Sequence, residues 1–142
     1  HGRVAANLTV LLGQYVKAKD LGDLCGAETG FKLESNPDTV RAPDIAFIPK
    51  EQIGVRSSRG FGSGAPYLAV EVLSPDDRKR EVEQKTLQWL ACGAESVWLV
   101  NPKKRTVEVI RAEDQRKLFH ESDELVDDTV PGFRVEVSKI FE

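Results

Sequence analysis

The sequence predicts an α/β fold, a mixed central β-sheet flanked by helices, and three observations carry that reading. An apolar stripe at helical spacing opens the chain, two apolar runs of strand length stand further on at Tyr67 to Leu73 and Val97 to Val100, and a second helical pattern separates those runs. Strand, helix and strand in that order make a βαβ step, which places a crossover helix on one face of a sheet. At 142 residues and 40% hydrophobic, the chain is long enough for a substantial core. No interior stretch reads as a linker, so one domain over 1–142 is expected.

The first helix is expected from about Val4 to Lys19, with Leu8, Leu11, Leu12 and Tyr15 on its apolar face and Gly22 as its stop. A strand pair follows, roughly Leu24 to Leu33 and Ala42 to Ile48, joined by the turn residues Ser35-Asn36-Pro37-Asp38. Gly54 to Gly64 is rich in glycine and serine and reads as a surface loop, or as a flap over a substrate. Ser74-Pro75-Asp76-Asp77 has the character of a helix start: a hydroxyl to cap, proline at the first helical position and acids in the first turn. Gly93 suits the end of that helix. Beyond it come strands at Val97 to Val100 and Thr106 to Arg111, linked by a turn at Asn101-Pro102-Lys103-Lys104. Short strands near Lys117 to His120 and Phe133 to Val137 and an apolar anchor at Ile140 and Phe141 complete the chain.

Two charges stand where packing wants hydrocarbon. Glu71 interrupts the apolar run Tyr67 to Leu73, and a bare carboxylate buried in an interior strand costs several kcal/mol unless a cation, a proton or donors offset it. In the next helix Val82, Thr86, Trp89 and Leu90 share one face at about 100° per residue, and Lys85 falls inside that arc. Lys85 therefore either reaches the sheet or runs out along Trp89 to water. Arg78, Lys79, Arg80, Glu81 and Glu83 read as a solvated opening to the helix. A third charge, Asp44, follows Pro43 and opens the apolar run Ile45 to Ile48, where a strand leaves a turn. Pro-Asp alone is turn chemistry. Together, the two carboxylates and the ammonium would suit a hard divalent cation and a polarised water.

The segments Arg41-Ala42-Pro43-Asp44-Ile45-Ala46-Phe47, Pro66-Tyr67-Leu68-Ala69-Val70-Glu71-Val72-Leu73-Ser74-Pro75, Lys85 with Trp89 and Gly93, and Val97-Trp98-Leu99-Val100-Asn101-Pro102 resemble the bacterial putative restriction endonuclease domain. That family belongs to the PD-(D/E)XK nuclease superfamily, and the likeness runs on to Val130-Pro131-Gly132-Phe133 and Ile140-Phe141. The resemblance implies a restriction endonuclease-like core and a DNA endonuclease using Mg²⁺ or Mn²⁺. It places Asp44 and Glu71 as metal-ligand acids, joined by the backbone carbonyl of Val72, with Lys85 as the catalytic lysine. The superfamily pattern sets its lysine two residues after the Glu, where this chain has Leu73, so the lysine has migrated to the helix. Many superfamily members carry a further acid on the first helix, whereas Arg3 to Lys19 has none. Either that ligand is dispensable, or Glu28 stands in for it, or it lies in a segment preceding His1-Gly2-Arg3, where an N-terminal stretch is expected to be missing. Ser74 reads as a cap, and Gln84 as a possible companion of Lys85.

The net charge of −3 argues against a broad nucleic-acid surface and leaves local basic clusters at Arg56/Arg59, Arg78/Lys79/Arg80 and Lys103/Lys104/Arg105. With two cysteines, Cys25 and Cys92, in no metal spacing, and no signal peptide or apolar span, a cytoplasmic protein with reduced thiols is expected. His1 and His120 fit no zinc pattern and read as incidental. Two function classes compete: a DNA-cutting homodimer, and a nuclease-fold interaction module that cleaves nothing. A hydrolase of another phosphate ester would share the same metal site.

Overall fold

The computed structural model describes residues 1–34, 39–53 and 64–142. Helix α1 (Gly2–Ala18) leads into β1 (Gly22–Cys25), and a short antiparallel pair, β2 (Phe31–Glu34) with β3 (Thr39–Arg41), precedes β4 (Ile45–Pro49) and β5 (Leu68–Val72). Helix α2 (Lys79–Ala91), β6 (Ser96–Asn101), β7 (Thr106–Ala112) and β8 (Gln115–Phe119) follow. The chain finishes with the pair β9 (Glu124–Val126) and β10 (Arg134–Glu136) and the single-turn α3 (Val137–Ile140). Six strands form one mixed sheet in the order β1-β4-β5-β6-β7-β8. Within it β5 and β6 run parallel, as the βαβ step requires, and the other pairings are antiparallel.

The two-residue alternation of each strand divides the core into two layers. Leu68, Val70 and Val72 of β5, with Trp98 and Val100 of β6, face Val4, Leu8, Leu12 and Val16 of α1. Ala69 of β5, with Val97 and Leu99 of β6, faces Trp89 of α2 and Phe31. Glu71 has the parity of Ala69 and so points to the α2 side. The C-terminal segment closes the α1 layer: Val137, Ile140 and Phe141 are buried in it, and Asn7 Nδ2 donates to the carbonyls of Ile140 (3.1 Å) and Glu142 (2.8 Å).

Several elements depart from expectation. The stretch expected as one strand from Leu24 to Leu33 is two, β1 in the main sheet and β2 in the small pair, separated by a turn at 26–30. Gly22 does not stop α1. The helix ends at Ala18, and Asp20 takes the left-handed conformation (φ 51°). Gly22 already belongs to β1, where a Cβ would sit 2.0 Å from the Ile48 carbonyl oxygen, so close strand approach requires the glycine. Gly93 does end α2, with φ 110° and its N–H bonded to the Leu90 carbonyl. Ser74 is not a helix cap, because α2 begins at Lys79 with Arg78 as its N-cap residue. The Ser74 N–H donates to Asp77 Oδ2 (2.8 Å) and the Asp77 N–H to the Ser74 carbonyl (3.1 Å). The four residues thereby close a turn of their own. The stretch from Phe133 to Val137 is strand only over Arg134–Glu136, after which Val137 starts α3. The turn at Ser35 to Asp38, the glycine-rich loop from Gly54 to Ser63, and the Arg56/Arg59 cluster lie outside the described residues.

Candidate active site

The ends of three elements bring Asp44, Glu71 and Lys85 together. Asp44 stands directly before β4, whose antiparallel pairing with β5 runs as far as Ile45↔Val70. Past that point the Asp44 carboxylate takes over from backbone: its Oδ2 accepts the Val72 N–H at 2.7 Å. The following amide, Leu73, turns the other way and donates to the Val100 carbonyl of β6. Asp44 is thus fixed against the end of β5, one residue beyond Glu71.

Glu71 is buried, 9% exposed, and one of its oxygens is engaged twice. Lys85 Nζ lies 2.7 Å from Oε2, and Trp89 Nε1 donates to the same atom at 3.3 Å. Lys85 and Trp89 are one helical turn apart on the inward face of α2, so a single turn presents both donors to the strand. Lys85 therefore points to the sheet and does not run out along Trp89. Burial pushes the Glu71 carboxyl above its usual range, and the charge of Asp44 adds to that. The hydrogen bonds and charge of Lys85 and Trp89 pull the other way without cancelling it.

A cleft of about 470 Å³ opens over this group. Arg41, Arg78, Asp77, Glu81, Ser74 and Gln84 also line it, so its mouth carries charges of both signs. Arg41 Nε donates to Gln88 Oε1, tying β3 to α2 along one wall. Since β5 and β6 are parallel and β4 runs against them, Asp44, Val72 and the β6–β7 turn at 102–105 all lie at one end of the sheet. Arg105 of that turn is spoken for, forming an ion pair with Glu121.

Val72 contacts Asp44 through its amide N–H. Glu28 does not line the cleft. The residue that sequence reasoning passed over is His1, whose Nε2 is 3.5 Å from Asp44 Oδ2 and which lines the cleft with Glu71 and Lys85. Among the described residues, no three of His, Cys, Asp and Glu are placed to hold a metal ion. The donor set nevertheless fits a divalent cation. Two carboxylates face one cleft, and the buried one gains from any added positive charge.

Asp44 and Glu71 at one end of a mixed sheet, with Lys85 reaching them from α2, define the class: an α/β protein with a polar cleft lined by charges of both signs. The chain belongs to the Uma2 family, described as "Putative restriction endonuclease", which matches residues 1–138. Its fold is similar to that of a protein from Anabaena variabilis described as a putative nuclease, with a TM-score of 0.83 at 21% identity, covering 99% of this chain and 79% of that one. No curated protein matches the chain. The expected family and restriction endonuclease-like α/β core are thus borne out.

Proposed function

We propose that the chain is a metal-dependent endonuclease that hydrolyses phosphodiester bonds in DNA. The observation that carries this is the meeting of Asp44, Glu71 and Lys85, from three separate elements, on one cleft. Membership of the family supports it. Asp44 and Glu71, with the Val72 carbonyl beside them, would hold Mg²⁺ or Mn²⁺. That ion, when bound, supplies a Lewis acid for a phosphoryl oxygen and a lowered pKa for an attacking water. The residues themselves do the remaining work. Val72 N–H holds the Asp44 carboxylate in one orientation. Lys85, neutralising Glu71 at 2.7 Å, moves its ammonium to the phosphate as charge develops there. Arg41 and Arg78 at the cleft wall would steady the flanking phosphates. Cutting both strands takes two such sites, and we assign the chain to a homodimer on that ground.

Two observations favour a second reading, a nuclease-fold module that cleaves nothing. Lys85 already balances Glu71, and no three ligands converge among the described residues. Incubating the protein and its Glu71→Ala variant with plasmid and single-stranded DNA, in Mg²⁺, Mn²⁺ or EDTA, separates the two. The endonuclease reading expects cleavage that needs metal and is lost in the variant. Absence of cleavage by a folded, metal-binding protein would move the substrate to another phosphate ester. Absence of metal binding as well would favour the module.

A further inference from the structure

We propose that Lys103 and Lys104, on the β6–β7 turn, hold the phosphate backbone of the DNA where it leaves the cleft, and that with Arg78 they form one anion track across the adjoining ends of β5 and β6. This rests on the DNA reading above and adds to it the surface over which the substrate runs.

The two strand ends are neighbours. β5 and β6 pair in parallel as far as Val72↔Val100, and the Leu73 N–H extends that pairing by donating to the Val100 carbonyl at 2.8 Å. Each strand then enters a turn closed by a side chain of its own. Asp77 Oδ2 accepts the Ser74 N–H at 2.8 Å on the β5 side, and Asn101 Oδ1 accepts the Lys104 N–H at 3.1 Å on the β6 side. The first turn delivers Arg78 to the cleft wall, and the second presents Lys103 and Lys104 to solvent.

The β6–β7 turn is anchored by its third basic residue. Arg105 takes the left-handed conformation (φ 54°), pairs with Glu121 and lies over the Phe141 ring at 5.4 Å. Phe141 is buried, and the Glu121 carbonyl accepts the Ser138 N–H at 3.0 Å, so the anchor belongs to the packed C-terminal segment. Arg105, Arg111 and Arg116 each have an acid partner, whereas among the described residues Arg78, Lys103 and Lys104 form no ion pair. Asp76 and Glu81 are close to Arg78 in the sequence, but no acid lies between Asn101 and Val107, so the β6–β7 turn carries the cleaner positive potential. On a chain of net charge −3, a polyanion is steered to such a local feature and not to the surface at large. Contacts of this kind position the backbone and read no bases.

The test is fluorescence anisotropy of a labelled duplex of about 20 base pairs, titrated with the full chain in EDTA between about 50 and 200 mM salt. The proteins are the wild type, Lys103→Ala/Lys104→Ala, Lys103→Arg/Lys104→Arg and Lys17→Ala/Lys19→Ala. Lys17 and Lys19 are exposed at the far end of α1, about 25 Å from His1 at the cleft, and their removal changes the net charge equally. The proposal expects the Lys103/Lys104 alanine pair to bind at least about fivefold more weakly at the lower salt, and the slope of log K against log salt to fall by about 2. The arginine pair should bind as the wild type does, and Lys17→Ala/Lys19→Ala should stay within about twofold of it. Equal weakening by both alanine pairs would reduce the effect to net charge and overturn the track, as would unchanged binding in Lys103→Ala/Lys104→Ala or no binding by the wild type. Binding that meets these expectations, with no cleavage of the same duplex in Mg²⁺ or Mn²⁺, would remove the endonuclease and leave the track standing.

Discussion

Glu71 and Asp127 are both buried carboxylates, each beside a tryptophan N–H and a cation, and their surroundings are opposite. Asp127 is 4% exposed and saturated with donors. Its Oδ2 accepts Ser96 Oγ and Trp98 Nε1, each at 2.7 Å. Its Oδ1 accepts Arg111 Nη1 at 2.8 Å and both the N–H and the hydroxyl of Thr129. Glu71 has Lys85 and Trp89 on a single oxygen, a neighbouring Asp44 charge and a cleft above it. A carboxylate enclosed by fixed donors on both oxygens is a structural pin, holding β9 and the 127–129 turn to β6 and β7. A carboxylate left short of donors beside a like charge is the one that the proposed function gives to a cation.

The sharpest way to break this comparison is to remove one acid from each site. In the folded protein, Asp44→Ala should lower metal-dependent cleavage by about 10³-fold or more, equivalent to about 4 kcal/mol of transition-state stabilisation. Circular dichroism should show the fold retained. Asp127→Ala should do the reverse. It strands buried donors on Ser96 and Trp98 and should cost about 3 kcal/mol, roughly 10 °C in Tm, with specific activity of the folded fraction preserved. Equal stability loss in both variants would erase the distinction. Lys85→Met comes next: cleavage should fall by about 10²-fold, with metal still bound, since the lysine serves charge on the substrate and not the cation.

The smallest effect concerns pH. Burial holds the Glu71 carboxyl above its ordinary 4.5. Its protonated form therefore contributes stability that is fully present below that value and is lost as pH rises through the folded-state value. Without metal, Glu71→Gln should gain on the wild type in chemical denaturation as pH rises from about 4.5 towards neutrality. A stability difference that stays flat with pH would show that Lys85 and Trp89 already satisfy the carboxylate.

The legible part of the site was the part that broke a pattern. Glu71 stands out because an interior strand has no other reason to carry a carboxylate, and Lys85 because helical spacing puts it on the face of Thr86 and Trp89. Asp44 was legible only in their company. His1 broke no pattern, since it belongs to no apolar period and meets Asp44 only when α1 packs across the sheet. Ser74 misled because a Ser-Pro-Asp-Asp sequence satisfies a helix cap and a side-chain-closed turn equally well. The Asp77 carboxylate reaching the Ser74 amide decided for the turn. The sheet was read through β5, β6 and β7, where apolar runs are continuous. It was misread between Leu24 and Leu33, where the 26–30 turn transfers the chain from the main sheet to the small pair. The pin at Asp127 was invisible because its five donors come from four residues scattered through β6, β7 and the 127–129 turn.

The measurement that tests the central claim most directly is the melting temperature of the wild type and of Glu71→Gln, at neutral pH, across a Mn²⁺ titration. The account predicts that saturating Mn²⁺, at about 100 times its Kd, raises the wild type by several degrees, corresponding to about 2.7 kcal/mol, and leaves Glu71→Gln unmoved. An equal rise in both proteins, or none in the wild type, would contradict the assignment of Glu71 as a metal-site carboxylate.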